Sequence, residues 1–295
     1  MLLLATIWGA SFLSVRIALD EIDPLTVVAH RTLWAMLALW GVVLVMRLHI
    51  PRDLRIWACF LVMGALNNAL PFALLSWGQL YIETGLTSIL NAATAIFGVL
   101  MAAIFFQDER LSLRKLVGVS FGFAGVATAI GLENLRYLDL RSLAQLAVIG
   151  ATICYALAAV WARKTLSGLP PQTAAAGMLT GATGLILPAA WLVEGPLTLD
   201  LQPRTIGAIA YFSLCSTALA YLLYYRLLTQ VGSGNLMLVT LLVAPVAIVL
   251  GTVVLGESLQ PSAYAGFALL AIGLIVLDGR IWRIARRWGS QKKTL

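Results

Sequence analysis

The sequence predicts an all-α membrane protein in which ten transmembrane helices form two inverted five-helix repeats. Composition gives the first reason: 61% of the 295 residues are hydrophobic, 11% are charged and the mean hydropathy is +0.93, whereas about 25% of a soluble domain is charged. Apolar stretches near the roughly 20 residues that span a bilayer recur along the chain and do not alternate with period two. The spans are therefore helices and not strands of a barrel. An internal duplication, described below, gives the third reason.

Charged residues, prolines and glycines mark where each apolar stretch of the first half begins and ends. The first helix ends before the acidic turn 20–23, and the second follows Pro24 and ends before Arg47. The third helix follows Arg55, and the fourth ends before Asp108. The first five predicted helices are 2–19, 26–46, 56–80, 85–106 and 113–131.

The same signals divide the second half of the chain. The sixth helix follows Arg141, the seventh follows Pro171 and ends before Glu194, and the eighth follows Arg204. The ninth helix ends before Glu257. The last five predicted helices are 142–163, 172–193, 205–228, 234–255 and 262–279.

Basic residues predict the orientation, because Lys and Arg are retained on the cytoplasmic side of a membrane. With the N-terminus inside, fifteen of the twenty Lys and Arg residues fall in inner loops and in the C-terminal segment. Outer loops collect acidic residues, among them Asp20, Glu83 and Glu194. Both termini are therefore expected to be cytoplasmic. The net charge of +7 is explained by this bias, so no nucleic-acid partner is expected.

Two short motifs, "FQDERL" at 106–111 and "VLGESL" at 254–259, show that the chain is duplicated. An offset of 148 places Glu109 on Glu257, and an offset of 147 further upstream places Trp8 on Tyr155. Five helices are an odd number, so the second copy enters the membrane from the opposite side, and transporters use this symmetry to form a site between the halves. We expect a first repeat at 1–131, a second, inverted repeat at 142–280 and a basic cytoplasmic tail at 281–295.

Longer stretches resemble a known family. They are "WGASF" in the first helix, "HRTLWA" in the second, "TGLTSILNAATAIFGVLMAAIFFQDERLSLRKLVGVSFGFAGV" and "GSGNLMLVTLLVAPVAIVLGTVVLGESLQPSAYAGFALLAIGLIVL". In these the chain resembles the drug/metabolite transporter superfamily, and more narrowly its EamA-type ten-helix exporters. The resemblance covers essentially the whole chain. It implies a bacterial inner-membrane protein that exports amino acids, aromatic or other apolar ones among them, and related small metabolites.

Polar side chains at bilayer depth indicate where a substrate would bind, since each needs a partner or a water-filled cavity. Helical spacing places those of the fourth helix on one face and those of the eighth helix on one face. They are Thr87, Asn91 and Thr94 in the fourth helix, and Ser213, Thr217, Tyr221 and Tyr224 in the eighth. Aromatic rings, amides and hydroxyls together suit a zwitterion with an apolar side chain. Serine and threonine hydroxyls bonded to their own helix are the alternative explanation. The candidate substrate-binding residues are Trp8, Ser11, Asn67, Asn68, Asn91, Tyr155, Thr217, Tyr221 and Tyr224.

Three charged residues are assigned gating or structural roles. Glu109 and Glu257 each follow a helix and are expected to accept hydrogen bonds in a helix-terminal turn, with substrate contact as the alternative. Arg31 is expected to pair with the acidic turn 20–23 or to hold a closed outer gate, and a substrate carboxylate is its alternative partner.

Other functions fit the sequence less well. The histidines are His30 and His49 and no GxSxG turn occurs, so an intramembrane hydrolase lacks its constellation. The three cysteines have no metal-type spacing, and neither a metal nor a cofactor is expected. A proton-coupled drug or metabolite efflux pump remains the alternative to amino acid export. The expected partners are a small-molecule substrate and the lipid bilayer, with monomer and homodimer both open.

Overall fold

The structure is a computed structural model that describes residues 1–109, 112–130, 140–166, 168–224, 226–227, 230 and 238–278. Within these residues the chain forms ten apolar helices. They are α1 Leu2–Ala18, α2 Pro24–Val45, α3 Leu54–Gly78, α4 Thr84–Phe105, α5 Leu113–Ile130, α6 Leu140–Thr165, α7 Pro171–Glu194, α8 Pro203–Tyr224, α9 Leu238–Leu255 and α10 Pro261–Asp278. Helices α2 to α8 are long and apolar enough to cross a membrane, and the other three described helices are shorter apolar ones. The predicted all-helical membrane fold is confirmed.

Helix ends agree with the sequence-based limits to within a few residues. Proline begins α2, α7, α8 and α10, as expected for a residue whose missing N–H has no helical acceptor at that position. The predicted start of the ninth helix at 234, the loop at 131–139 and the basic tail 281–295 lie outside the described residues.

Packing between helices follows a twofold pattern. Helix α5 packs on α10, α2 packs on α7 and α4 packs on α9, so each of these three pairs joins one helix to its counterpart in the other half. Other pairs follow the same symmetry: α1 on α9 matches α6 on α4, and α3 on α7 matches α8 on α2. This exchange of partners is what an inverted duplication requires.

Glycines allow two of these interfaces to bring backbones together. A Cβ on Gly125 of α5 would lie 2.7 Å from the Gly266 carbonyl oxygen of α10, and a Cβ on Gly118 would lie 2.9 Å from that of Gly273. In α7, a Cβ on Gly181 would lie 2.6 Å from the carbonyl oxygen of Phe60 in α3. Small residues stabilise helix pairs in lipid through such close approach. Gly98 of α4, by contrast, has no atom within 4 Å of its Cβ position.

Three spans that the sequence predicts as continuous helices are irregular in the middle. Helix α3 contains a π-helical segment at Ala65–Ala69, and α8 contains one at Tyr211–Leu219, the equivalent stretch of the second repeat. Helix α4 is interrupted between Asn91 and Thr94. In α3 the cause is local, because Pro71 has no N–H to offer to the carbonyl four residues earlier. These irregular segments turn polar side chains toward the space between the repeats.

Candidate functional site

A cavity of about 520 Å³ lies between the two halves of the bundle. Ligand sites usually enclose about 300–1,000 Å³, so this one accommodates a small metabolite. Its walls come from helices of both repeats, chiefly α1, α2, α3, α4, α6, α7, α8 and α9. The lining residues that carry polar groups or aromatic rings are Trp8, Ser11, Phe12, Arg31, Asn67, Phe72, Ser76, Gln79, Asn91, Thr94, Tyr155, Ser216, Thr217, Tyr221, Tyr224 and Thr240.

Tyr221 is the centre of a hydrogen-bond cluster on the cavity wall. Its hydroxyl oxygen accepts hydrogen bonds from Nδ2 of Asn68 at 2.8 Å and from Nδ2 of Asn67 at 3.1 Å. The cluster joins the π-helical segment of α3 in the first repeat to α8 in the second. Because both amides donate to the phenol oxygen, the phenol hydrogen is directed elsewhere.

Arg31 of α2 is buried, with 9% of its surface exposed, and lines the cavity. Its Nε donates to Thr217 Oγ1 at 2.9 Å and its Nη2 to Ser216 Oγ at 3.5 Å. The guanidinium carbon lies 3.9 Å from the centroid of the Phe72 ring, a cation–π distance. The expected partner, the acidic turn 20–23, is bonded to other groups: Asp20 pairs with Arg16, and Glu21 accepts from the Gln202 N–H.

Aromatic rings form the apolar part of the wall. The Trp8 ring of α1 lies 5.9 Å from the Tyr224 ring of α8, with 40° between the planes. Tyr155 of α6, the repeat equivalent of Trp8, lines the same cavity, as does Ser11 one turn after Trp8. The symmetry therefore brings an amphipathic aromatic side chain to the cavity from each half.

Asn91 lies where α4 is interrupted. It lines the cavity, and its Oδ1 is buried without a hydrogen-bond partner in the described residues. Thr94 also lines the cavity, and its hydroxyl donates to the Asn91 carbonyl at 2.7 Å. Thr87, which helical spacing placed on the same face, is fully buried and donates to the Glu83 carbonyl. The residues on either side of the interruption therefore both line the cavity, whereas Thr87, one turn before Asn91 in the same helical half, does not.

Glu257 stabilises a helix end in the other repeat. Its carboxylate accepts hydrogen bonds from the backbone N–H groups of Thr84 at 2.9 Å and Gly85 at 3.3 Å, at the start of α4. Glu194, at the end of α7, does the same for Leu25 and Thr26 at the start of α2. A carboxylate at a helix N-terminus is favourable because it accepts from the free N–H groups there and is attracted to the positive end of the helix dipole. Glu257 does not line the cavity.

Glu109 also lies outside the cavity lining, in the turn after α4. Its Oε2 accepts from Lys115 Nζ at 2.9 Å. In the same turn Asp108 pairs with Arg163 at 2.6 Å, and this hydrogen bond lowers the pKa of the Asp108 carboxyl. Because the folded-state pKa is the lower one, the pair stabilises the fold above the ordinary carboxyl pKa of about 3.9 and is lost only as the pH falls further. The exposed pair therefore stays ionised near neutral pH.

The structure adds residues that the sequence did not single out. Ser216 contacts Arg31, while Ser213, the residue expected from regular helical spacing, is buried and donates to the His30 carbonyl. The π-helical segment of α8 causes this change of face. Met178 of α7, which lines the cavity, is the repeat equivalent of Arg31 at an offset of 147. The sequence alone shows that the second repeat has methionine at the position where the first has Arg31. This difference between the repeats is a signal from which a special role of Arg31 could have been predicted.

Apolar helices around a polar, aromatic-lined cavity between two inverted halves define a membrane transporter and not an enzyme. The model of the EamA-like transporter family matches residues 1–131 and 142–277. The chain belongs to this family.

Relatives at low identity cover nearly the whole chain. One is the "Probable amino-acid metabolite efflux pump" of Escherichia coli, 24% identical, with 98% of this chain and 97% of the relative aligned. Another is the "Probable terminal-alkyne amino-acid exporter" of Streptantibioticus cattleyicolor, 27% identical, with 95% and 92% aligned. A solved structure titled "Crystal structure of protein" matches with a TM-score of 0.65 at 17% identity, covering 92% of this chain and 93% of the other, and supports the fold alone.

Proposed function

We propose that this protein exports amino acids, including aromatic or other apolar ones, and related small metabolites by alternating access. The cavity carries the argument, because its wall combines rings from Trp8, Tyr155 and Tyr224 with hydrogen-bonding groups from Asn67, Asn91 and Tyr221. Rings pack an apolar side chain, and amides and hydroxyls bond an ammonium and a carboxylate. The names of the two relatives, probable amino-acid metabolite efflux pump and probable terminal-alkyne amino-acid exporter, support the same substrate class.

The positions of the carboxylates support a proposal for the driving force of this export. Proton coupling inside a membrane ordinarily needs an acidic residue or histidine that changes charge as the site changes access. Among the described lining residues there is no Asp, Glu or His. Glu83 is paired with Arg141 at 2.8 Å and Glu257 caps α4. Facilitated diffusion or exchange is therefore the proposed mode, and proton-coupled efflux of drugs or metabolites is the competing one.

Exchange in proteoliposomes tests the function and its driving force together. Vesicles preloaded with unlabelled phenylalanine are expected to take up labelled phenylalanine without a pH gradient, and an ionophore that collapses proton gradients should leave the rate nearly unchanged. Protein-free vesicles and vesicles without internal phenylalanine are the controls. Absence of exchange with phenylalanine and with a panel of other amino acids would contradict the function. Accumulation driven by a pH step and lost in Glu257→Gln or His30→Ala would contradict the driving force.

Orientation is part of the proposal, with both termini cytoplasmic and the loop 195–202 outside. In a chain whose three cysteines, Cys59, Cys154 and Cys215, are replaced by alanine, Asp200→Cys is expected to react with an impermeant maleimide in intact cells. Arg52→Cys should react only after the membrane is permeabilised. Both positions are exposed, so burial does not mask either one. Reaction at Arg52→Cys from outside, or the reverse pattern, would rule this orientation out.

A further inference from the structure

Arg31 has no counter-charge in the part of the chain that the structure describes. The ion pairs there involve Arg16, Lys115, Arg141 and Arg163. The partners of Arg31 among the described residues, Thr217, Ser216 and Phe72, are neutral. A buried guanidinium without an anion is costly at bilayer depth, and ionisable residues there usually serve a substrate or ion pathway.

The neutral contacts hold the guanidinium in one position. The Thr217 hydroxyl donates its hydrogen to the Phe212 carbonyl at 2.7 Å, so that its lone pair accepts from Arg31 Nε. Phe72 covers one face of the group. An arginine has five N–H donors, and in the described residues only two of them are used, one on Nε and one on Nη2. Both Nη1 donors and the second Nη2 donor remain, which is the fork that a carboxylate binds with two parallel hydrogen bonds.

The charge occurs on one side of the cavity only. Met178, at the equivalent position of the second repeat, also lines the cavity and presents a thioether. Among the described lining residues Arg31 is the one charged side chain. A bound ammonium therefore meets neutral acceptors such as Asn91 Oδ1, whose energy of interaction is smaller than that of an ion pair.

We propose that Arg31 binds the carboxylate of the exported molecule and that this carboxylate, and not the ammonium group, is the charged group that the cavity requires. The assignment rests on the proposed function, since it names the charged group of the substrate in the same cavity. Molecules that carry the carboxylate but no amino group are accordingly substrates, and molecules that carry the amino group but no carboxylate are not.

Competition with the wild-type protein tests the assignment directly. During exchange of labelled phenylalanine, 3-phenylpropanoate, which lacks the amine, is expected to inhibit within about threefold of unlabelled phenylalanine. Phenethylamine, which lacks the carboxylate, should be at least about thirtyfold weaker, because a charge-assisted hydrogen-bond pair is lost. Equal inhibition by the two analogues, or inhibition by the amine alone, would overturn the assignment.

Variants locate the effect at Arg31. Arg31→Gln is expected to raise the half-saturation concentration of phenylalanine at least about tenfold and to abolish the difference between the analogues. Arg31→Lys keeps the charge without the fork and should lie between. Arg16→Gln, which removes a partly exposed arginine outside the cavity, is the matched control and should behave as wild type. An Arg31→Gln protein that retains wild-type half-saturation and discrimination would disprove the assignment, and the competition assay decides even where this variant does not fold.

Thermal stabilisation by the same two analogues separates failure of the assignment from failure of the proposed function. If phenylalanine is not exchanged, but 3-phenylpropanoate stabilises wild type and not Arg31→Gln, amino acid export is wrong and the carboxylate site stands. If neither analogue stabilises the wild-type protein and no exchange occurs, both are wrong. If phenylalanine is exchanged and phenethylamine stabilises as well as 3-phenylpropanoate, export stands and the carboxylate site is wrong.

Discussion

Replacing Tyr221 with alanine is expected to lower amino acid exchange at least about tenfold in protein that is still folded. The change removes a ring from the cavity wall and also the oxygen that accepts from Asn67 and Asn68. Asn68 is fully buried and its Oδ1 already has no partner in the described residues, so its whole amide would be left without hydrogen bonds. An unsatisfied buried polar group costs about 1–3 kcal/mol. The cavity wall between α3 and α8 would therefore lose its geometry.

Asn67→Ala and Trp8→Ala test the same wall from two other helices, and each is expected to lower exchange as well. Asn67→Ala leaves the hydrogen bond from Asn68 to Tyr221 in place, so its effect should be smaller than that of Tyr221→Ala. Trp8→Ala removes the ring that packs on Tyr224. Tyr264→Ala is the control, because Tyr264 lies on α10, is 48% exposed and does not line the cavity. Normal exchange by all three variants at wild-type expression would mean that the substrate path lies elsewhere.

Gly181→Ala is expected to lower the apparent Tm of the purified protein by about 4–10 °C. Its new Cβ would lie 2.6 Å from the Phe60 carbonyl oxygen and 2.7 Å from the Leu61 Cα, so α3 and α7 must separate. Overpacking typically costs about 1–3 kcal/mol, and about 2–4 °C accompany each kcal/mol in chains of this order of size. Backbone atoms cannot turn away as a flexible side chain does, so we expect the cost of this substitution to lie at the upper end of that energy range.

Gly184→Ala is the matched control on the same helix, three residues further on. Nothing lies within 4 Å of its Cβ position, and alanine favours a helix over glycine by about 1 kcal/mol. Its Tm should be unchanged or slightly higher. Equal losses in the two variants would show that the helix and not the α3 interface is sensitive, and no loss in Gly181→Ala would contradict the close backbone approach.

Sequence periodicity and punctuation were sufficient for the helices, because charges, prolines and the length of a bilayer span fix their limits. The irregular middles of α3, α4 and α8 carry no comparable signal. Asn91 and Thr94 flank two alanines, which favour helix, yet α4 is interrupted there. Irregular backbone at membrane depth is set by neighbouring helices and by the cavity it lines, and these are properties of the packed bundle.

The candidate site was accessible in part for the same reason. All the residues proposed for substrate binding except Asn68 line the cavity, and Asn68 stands behind Tyr221. Spacing on a regular helix suggested Ser213 and omitted Ser216, which contacts Arg31. The bond from Glu257 to Thr84 joins residues 173 positions apart, a distance over which local sequence patterns carry no information. Glu257 was expected to accept hydrogen bonds in the turn at the end of its own helix. In the structure it accepts them from the start of α4, a helix of the opposite repeat.

The backbone contact between α5 and α10 has a practical consequence for measuring motion in this protein. These two helices contribute no residue to the described cavity wall, and their backbones approach closely at glycines 118, 125, 266 and 273, so we expect them to move as one unit. Spectroscopic labels attached to the lipid-facing sides of α5 and α10 would then provide a fixed internal reference. Spectroscopic distances from that pair to labels on the other eight described helices would show which helices move relative to it when the cavity changes access.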